Sequence, residues 1–385
     1  MTESNQPLLV IVLMIKNEES SIEETLSCLF QGGISHYIIL DTGSEDKTVQ
    51  LTQDFIHHHQ LNGYVIEEPF VDFSTSRNRA LTLAKQHFPD ATFFLMPDAE
   101  WYLRNPRALL KFCEQEKNTD TALYSIKAKM SSLEFYVARL FRASQHILFK
   151  GLVHESPDFY TNSKVPNSVY FDILPTPKGI EASKKRWQND CKILLKAYQN
   201  NPDDSRQVFY LAQTYECLGE LEKAYLFYQE RAKLTGWDEE NYMTLYRLGC
   251  LALKLNQTSG IYTWSTAMNY FLQAFSLRPH RIEPLIQIAD YYWPSQIPTC
   301  YLFAQYAYNI PFPIDDKLFI ETEFYRYTRY EIMSRCAWHM GNFELGEMAT
   351  KQALEVYPNV EHLLKNLALY QEKLRTIQTE RYESS

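Results

Sequence analysis

Glycine is scarce, at 12 among 385 residues, against 27 tyrosines and 22 phenylalanines. That balance disfavours an all-β fold of short strands and Gly-rich turns, and suits helices packed through aromatic rings. No long run of lysine or arginine occurs. The net charge is −9 and the pI about 5.7, so no nucleic-acid or anionic-membrane surface is expected. The seven cysteines, Cys28, Cys113, Cys191, Cys217, Cys250, Cys300 and Cys336, are scattered, odd in number and never in C-x-x-C spacing. They fit reduced thiols of a cytoplasmic protein, and neither a disulfide framework nor a zinc site. Long apolar runs are missing too: Leu8–Ile15 is too short and too poorly flanked for a signal peptide or membrane span.

What is present is enough core material for two or three domains. Leu8–Ile15 reads as a buried parallel strand, followed by a helix from Ile22 to Phe30 with Ser20 or Ser21 as its cap. Tyr37–Leu40 is a second strand. After it Gly43 permits a tight turn, Ser44 is placed to cap the next helix, and Glu45 and Asp46 suit its first turn. Tyr64–Ile66 is a third strand, Thr75–His87 a helix, and Phe93–Met96 a fourth strand. This β-α-β-α-β-α-β order predicts a doubly wound, Rossmann-like α/β sheet, in which ligands bind beyond the carboxyl ends of the strands. Asn17, Asp41, Asp72 and Asp98 all fall at or after such ends. Asp98 and Glu100 stand one residue apart, and two carboxylates so placed suit Mg²⁺ or Mn²⁺ against phosphate oxygens. The other reading of such a pair is a solvated turn after a strand.

Four blocks together resemble the family 2 glycosyltransferases of the GT-A fold. They are Ile15-Lys16-Asn17-Glu18-Glu19, Asp41-Thr42-Gly43-Ser44-Glu45-Asp46-Lys47-Thr48, Asp72-Phe73-Ser74-Thr75-Ser76-Arg77-Asn78 and Asp98-Ala99-Glu100. Arg139-Leu140-Phe141-Arg142 and Phe149-Lys150-Gly151-Leu152-Val153-His154-Glu155 look like a subgroup of that family with C-terminal tetratricopeptide repeats. The resemblance implies that Ile15, Asn17 and Glu18 face the base and ribose of a UDP-sugar, and that Asp41 accepts from the uracil N3–H. Asp72 joins the nucleotide-sugar site or caps the helix carrying Arg77, which reaches the diphosphate or sugar. Asp98 binds donor hydroxyls or the metal through water, Glu100 binds the metal directly, and His154 is a second ligand. Glu155 or a nearby acid is the base. Glu100 stands where the family has Asp, Pro97 where it usually has Leu, and Trp101 where it often has another acid. The stretch Phe171–Pro177 lacks a histidine common there.

The domain boundary is expected near Lys178, where Pro175, Pro177 and Gly179 break the pattern. The expected domains are thus 1–178, the GT-A domain, and 179–385, an all-α tetratricopeptide-repeat solenoid. Val208, Leu211, Ala212, Tyr215, Gly219, Ala224 and Tyr228 follow tetratricopeptide spacing, with a period of about 34 residues. Leu245 through Pro279 form a second unit with an insertion around Gln257–Tyr262. Leu285 to Ala307 and Tyr330 to Pro358 give two more, and Val360–Leu374 is the closing helix. The sequence is therefore read as a cytoplasmic, Mn²⁺- or Mg²⁺-dependent, inverting hexosyltransferase. Its acceptor is a protein, peptide or glycan, and its repeats bind that acceptor or a second copy. The rival readings are a repeat-based adaptor with an inactive nucleotide-binding domain, and a nucleotidyltransferase. The latter would show a Gly-rich basic loop where Lys16-Asn17-Glu18-Glu19 stands.

Overall fold

A computed structural model describes residues 6–159, 163–174 and 177–383. Pro175 and Thr176 of the sequence reading lie outside the described residues. The chain separates into two compact units, Met1–Leu194 and Leu195–Ser385.

The first unit begins with β1 (Leu9–Ile15), α1 (Ile22–Phe30), β2 (His36–Asp41), α2 (Thr48–His59), β3 (Asn62–Glu67), α3 (Phe73–His87) and β4 (Phe93–Leu95). These are the expected alternating elements. Five strands follow that the apolar pattern shows less clearly or not at all. They are β5 (Trp101–Arg104), then after α4 (Pro106–Glu116), β6 (Leu123–Met130), β7 (Leu133–Arg142), β8 (Phe149–Lys150) and β9 (Ser156–Pro157). β10 (Tyr170–Ile173) and α5 (Pro177–Asn200) complete the unit's elements, with the division between units falling inside α5 rather than near Lys178.

The sheet order is β3-β2-β1-β4-β7-β6-β10-β5. Strands β1 to β4 are parallel. β7 is antiparallel to β4 and β6, and β5 is antiparallel to β10. The sheet is thus mixed: its parallel β3-β2-β1-β4 half has the reversed order of the expected doubly wound sheet, and the strands beyond β4 add antiparallel pairings. The reason is the β6–β7 hairpin, which pairs directly with β4 in place of a further crossover helix. Alternate residues of β1 supply opposite cores, as a two-sided parallel strand requires. Ile11 and Leu13 pack with Leu26, Leu29 and Phe171, while Val10 and Val12 pack with Ala80, Leu83 and Phe141.

The second unit is helical. It contains α6 (Ser205–Cys217) against α7 (Leu221–Ala232), α8 (Asp238–Ser259) against α9 (Trp264–Leu277), α10 (Glu283–Tyr292) against α11 (Ile297–Asn309), and α12 (Arg329–His339) against α13 (Phe343–Val356). α14 (Glu361–Glu383) closes it and is longer than the expected Val360–Leu374. Much of the expected insertion at Gln257–Tyr262 is simply the end of α8, which runs to Ser259. The repeating alanines, among them Ala212, Ala224, Ala252, Ala274, Ala304 and Ala337, are buried. Gly346 has a packing reason: a Cβ there would lie 2.1 Å from the Tyr370 ring. Among the described residues no helix is long and apolar enough to cross a membrane.

Candidate active site at the strand tips

The register fixes where the motifs meet. Ile15 pairs with Asp41, and Ile11 with Leu95. Carried past Leu95, the chain after β4 brings Asp98 to the same carboxyl edge that Asn17 and Asp41 occupy. On the far side of β4, Met96 N–H donates to the Arg139 carbonyl at 2.9 Å, so β7 delivers Arg139 beside Asp98.

The first two motifs are tied chiefly to each other. Asn17 has φ 57°, a left-handed conformation that asparagine tolerates better than most residues. In that turn its N–H donates to Ser44 Oγ at 2.9 Å and its Oδ1 accepts from Glu45 N–H at 2.8 Å. Glu18 N–H donates to Thr48 Oγ1 at 2.6 Å, and Ser21 Oγ donates to Glu18 Oε2. Asp41 is 1% exposed and accepts from Gly43 N–H and Ser44 N–H at 3.0 Å each, and from the Ser44 hydroxyl. Ser44 therefore shapes this loop; the helix it was expected to cap begins later, with Lys47 in the cap position. Ile15 is a core side chain whose carbonyl accepts from both donors of Thr42. The residues assigned to base and ribose thus form a cross-stitched two-loop platform. The Asp41 carboxylate and the Ile15 carbonyl are both hydrogen-bonded within it.

Asp72 caps α3. Its carboxylate accepts from Thr75 N–H at 2.7 Å and from the Ser74 and Thr75 hydroxyls. Burial works to raise its pKa, but these donors hold it below the ordinary carboxylate range. The cap fixes the first turn of α3, which carries Arg77 and Asn78. Asn78 clamps the backbone of Phe149, donating to its carbonyl at 3.0 Å and accepting from its N–H at 2.7 Å. That clamp docks the short β8–β9 hairpin, whose connection holds His154 and Glu155.

At the centre lies a charged tetrad. Arg77 Nε donates to Glu155 Oε1 at 2.5 Å, and its Nη2 pairs with Asp98 Oδ1. Arg139 Nη2 approaches Asp98 Oδ2 at 3.4 Å. Both guanidiniums lie over Phe149, with their carbons 5.4 and 5.5 Å from the ring centroid, and Arg139 also lies 5.4 Å from Trp101. Burial opposes ionisation of Asp98, yet the two arginines win and hold it at about 2. Arg77 is burial-penalised as well, but Asp98 and Glu155 keep it well above its usual value. Arg139 goes the other way: burial and the like charge of Arg77 lower it. Its side chain is 9% exposed, and its Nε is buried with no hydrogen-bond partner. A guanidinium so placed invites an anionic ligand.

Among the described residues no three His, Cys, Asp or Glu side chains form a metal-binding group. Asp98, Glu100 and His154 are therefore not gathered as the expected ligand trio, since both Asp98 oxygens already face arginines. Half-buried Glu100 makes no hydrogen bond or ion pair among the described residues. His154 sits at φ 51°, an uncommon conformation outside glycine.

Sequence reasoning singled out Arg77, Asp98 and Glu155 but assigned no role to Arg139, Asn78 or Phe149. Arg139, Asn78 and Phe149 all lie inside quoted motifs, so the signal was there. Their contacts come from strand register and hairpin docking, which the motif does not encode.

No family model matches the chain, and no curated protein matches it. Among solved structures it is similar to the mannosyltransferase PcManGT from Pyrobaculum calidifontis, in complex with GDP-Man and Mn²⁺. The identity is 15%, over 71% of this chain and 87% of that one, with a TM-score of 0.38. It is also similar to S. aureus TarS in complex with UDP, at 13% identity over 71% and 89% of the two chains and a TM-score of 0.34. YrrB, a TPR protein with an unusual peptide-binding site, gives 16% identity over 47% and 84%, with a TM-score of 0.36. Likeness at these TM-scores carries no argument for shared fold or chemistry.

Proposed function

We propose that the first unit is an inverting glycosyltransferase that uses a UDP-sugar, and that the helical unit holds a protein, peptide or glycan acceptor or a second copy of the chain. The observation that carries this reading is the Arg77–Asp98–Arg139–Glu155 tetrad at the carboxyl edge of the parallel strands, where α/β sheets bind ligands. Transfer breaks the bond between the anomeric carbon and the diphosphate, and negative charge grows on the leaving oxygen. Arg139, with an unmet donor, and Arg77 beside it provide fixed positive charge where that charge develops. Asp98 fixes the orientation of both guanidiniums. Glu100 would hold Mn²⁺ or Mg²⁺, which supplies further charge neutralisation to the diphosphate. The Asn17–Ser44 platform would present backbone groups to the nucleotide. A direct displacement inverts the anomeric centre, and a product of retained configuration by NMR contradicts it.

The test is release of UDP from UDP-hexoses with Mn²⁺, water serving as acceptor. Wild type is expected to turn over, and Glu100→Ala to lose metal-dependent release. One observation favours the rival: both Asp98 oxygens face arginines, and among the described residues no three His, Cys, Asp or Glu side chains form a metal-binding group. If UDP binds in calorimetry but is never released from any UDP-hexose, the protein is a nucleotide-binding adaptor.

A further inference from the structure

We propose that the outer edge of β3 is a dimer interface, on which a second copy of this chain lays its own β3 antiparallel and continues the sheet. This is independent of the transferase reading, and it leaves the repeats to the acceptor. β3 stands first in the sheet order, so β2 alone pairs with it among the described strands. Its ends fix which residues face outward. Asn62 N–H donates to the Ser35 carbonyl at 2.8 Å, and Glu68 N–H to the Asp41 carbonyl at 3.0 Å. Even-numbered residues thus turn their backbone groups to β2, and Gly63, Val65 and Glu67 turn theirs to the open edge. Among the described residues nothing bonds to those outward groups. Soluble proteins usually blunt such an edge with lysine, proline, a bulge or a covering element. Asn62-Gly63-Tyr64-Val65-Ile66-Glu67 has no lysine or proline, keeps an unbroken register with β2 and leaves Tyr64 49% exposed.

A second β3 fits because the two ends of this edge are complementary. Histidines gather at the amino end. His57, His58 and His59 finish α2 just before the strand, His36 pairs with Asn62, and the His87 ring lies 4.1 Å from that of Tyr64. The carboxyl end is acidic: Glu67 is exposed, and Glu68 is already paired with Arg79 at 2.7 Å. Antiparallel pairing about a two-fold axis at Val65 sets Gly63 opposite Glu67 of the second copy, Val65 opposite Val65, and Glu67 opposite Gly63. Each such pair exchanges both backbone bonds, so every outward group is met. A parallel copy would instead set glutamates against glutamates. In the antiparallel pair the incoming Glu67 lies over a position that stays bare, since a Cβ on Gly63 would fall 1.9 Å from the Tyr37 carbonyl oxygen. Beside it, between α2 and β3, a groove of about 580 Å³ is lined by Gln53, His57 and Gln60, whose side-chain N–H groups suit a carboxylate. On the other face the exposed Tyr64 ring meets Ile66 of the second copy, an aromatic against a β-branched residue.

The experiment is sedimentation equilibrium of the full-length chain over a range of concentrations, just below about pH 6.5, where an ordinary imidazole is largely charged. Wild type is expected at twice the chain mass of 45.3 kDa, dissociating on dilution. Val65→Pro removes an outward N–H and no bond to β2. It should raise the dimer Kd about 30-fold or more, as loss of a central contact does. Glu67→Arg should raise it about tenfold by setting a cation against His57. Adding His57→Glu to Glu67→Arg should recover most of that loss, a rescue that a general effect on folding does not give. Glu67 is exposed, so this pair of variants reports on the interface even if Val65→Pro unfolds the chain. Wild type that keeps the mass of one chain at every soluble concentration overturns the proposal. So does a dimer whose Kd is unchanged in Glu67→Arg and in any folded Val65→Pro, since another surface then builds it.

Discussion

Arg77 in the first unit and Arg281 in the second are both buried arginines ringed by carboxylates, yet their surroundings differ. Every nitrogen of Arg281 donates: Nε and Nη2 to Glu283, Nη1 to Asp316 and the Leu318 carbonyl, and Nη2 again to the Phe319 carbonyl. Tyr242 and Tyr325 donate to Glu283, and Arg278 to Asp316. At its centre the side chains of Arg281, Glu283 and Asp316 are 0–1% exposed. Around Arg77 the partners are fewer. Asp98 has a side chain 32% exposed, the nearby Arg139 holds it through a 3.4 Å contact, and its Nε has no acceptor. A saturated buried network resists change and organises packing, whereas an unsaturated one at a strand edge has capacity for a ligand.

The contrast breaks most severely at Glu283. Glu283→Ala leaves Arg281 buried without its main partner and should destabilise the helical unit by about 3–5 kcal/mol, read by urea unfolding. Arg77→Ala should act on turnover instead, lowering kcat for UDP release about 10²- to 10³-fold, as removal of a transition-state donor does. If the two variants exchange these phenotypes, the distinction between scaffold and site is wrong.

Acid titration sharpens the comparison inside the first unit. Asp98 is lowered from 3.8 to about 2 despite its partial desolvation, because Arg77 and Arg139 favour its ionised form. Its contribution is present above about pH 4 and lost as the pH falls toward 2. Asp190 has the opposite sign, since burial raises it from 3.8 to about 6. It binds more protons folded than unfolded, so stability declines as the pH rises from about 4 to 6. Urea midpoints across pH 2–7 should lose the first trend in Asp98→Asn and the second in Asp190→Asn. The smallest expected effect is that of Asp72→Ala, about 1 kcal/mol for loss of the α3 cap, measured by thermal unfolding.

Much of this was legible in the residues. The apolar run Leu9–Ile15, the cap at Asp72 and the position of Asp98 after a buried strand follow from local pattern. Hairpin β6–β7 was harder. Lys127 and Lys129 interrupt the apolar residues of β6, and its strand character comes from pairing with β7 and β10. Ser44 looked like a helix cap because its sequence context suits one. The carboxylate of Asp41 lies close by, and the hydroxyl bonds there instead.

Local chemistry alone determined the alternating elements at the start, the turn-forming and capping residues, and the set of charged side chains available at the strand ends. Only the folded chain decided how those charges pair. Arg77 and Glu155 are 78 residues apart, and Arg139 and Asp98 are 41 apart. Their meeting depends on sheet register and on the docking of one short hairpin. Side-chain identity fixes what a group is able to bind, while long-range backbone hydrogen bonding fixes which partners come within reach.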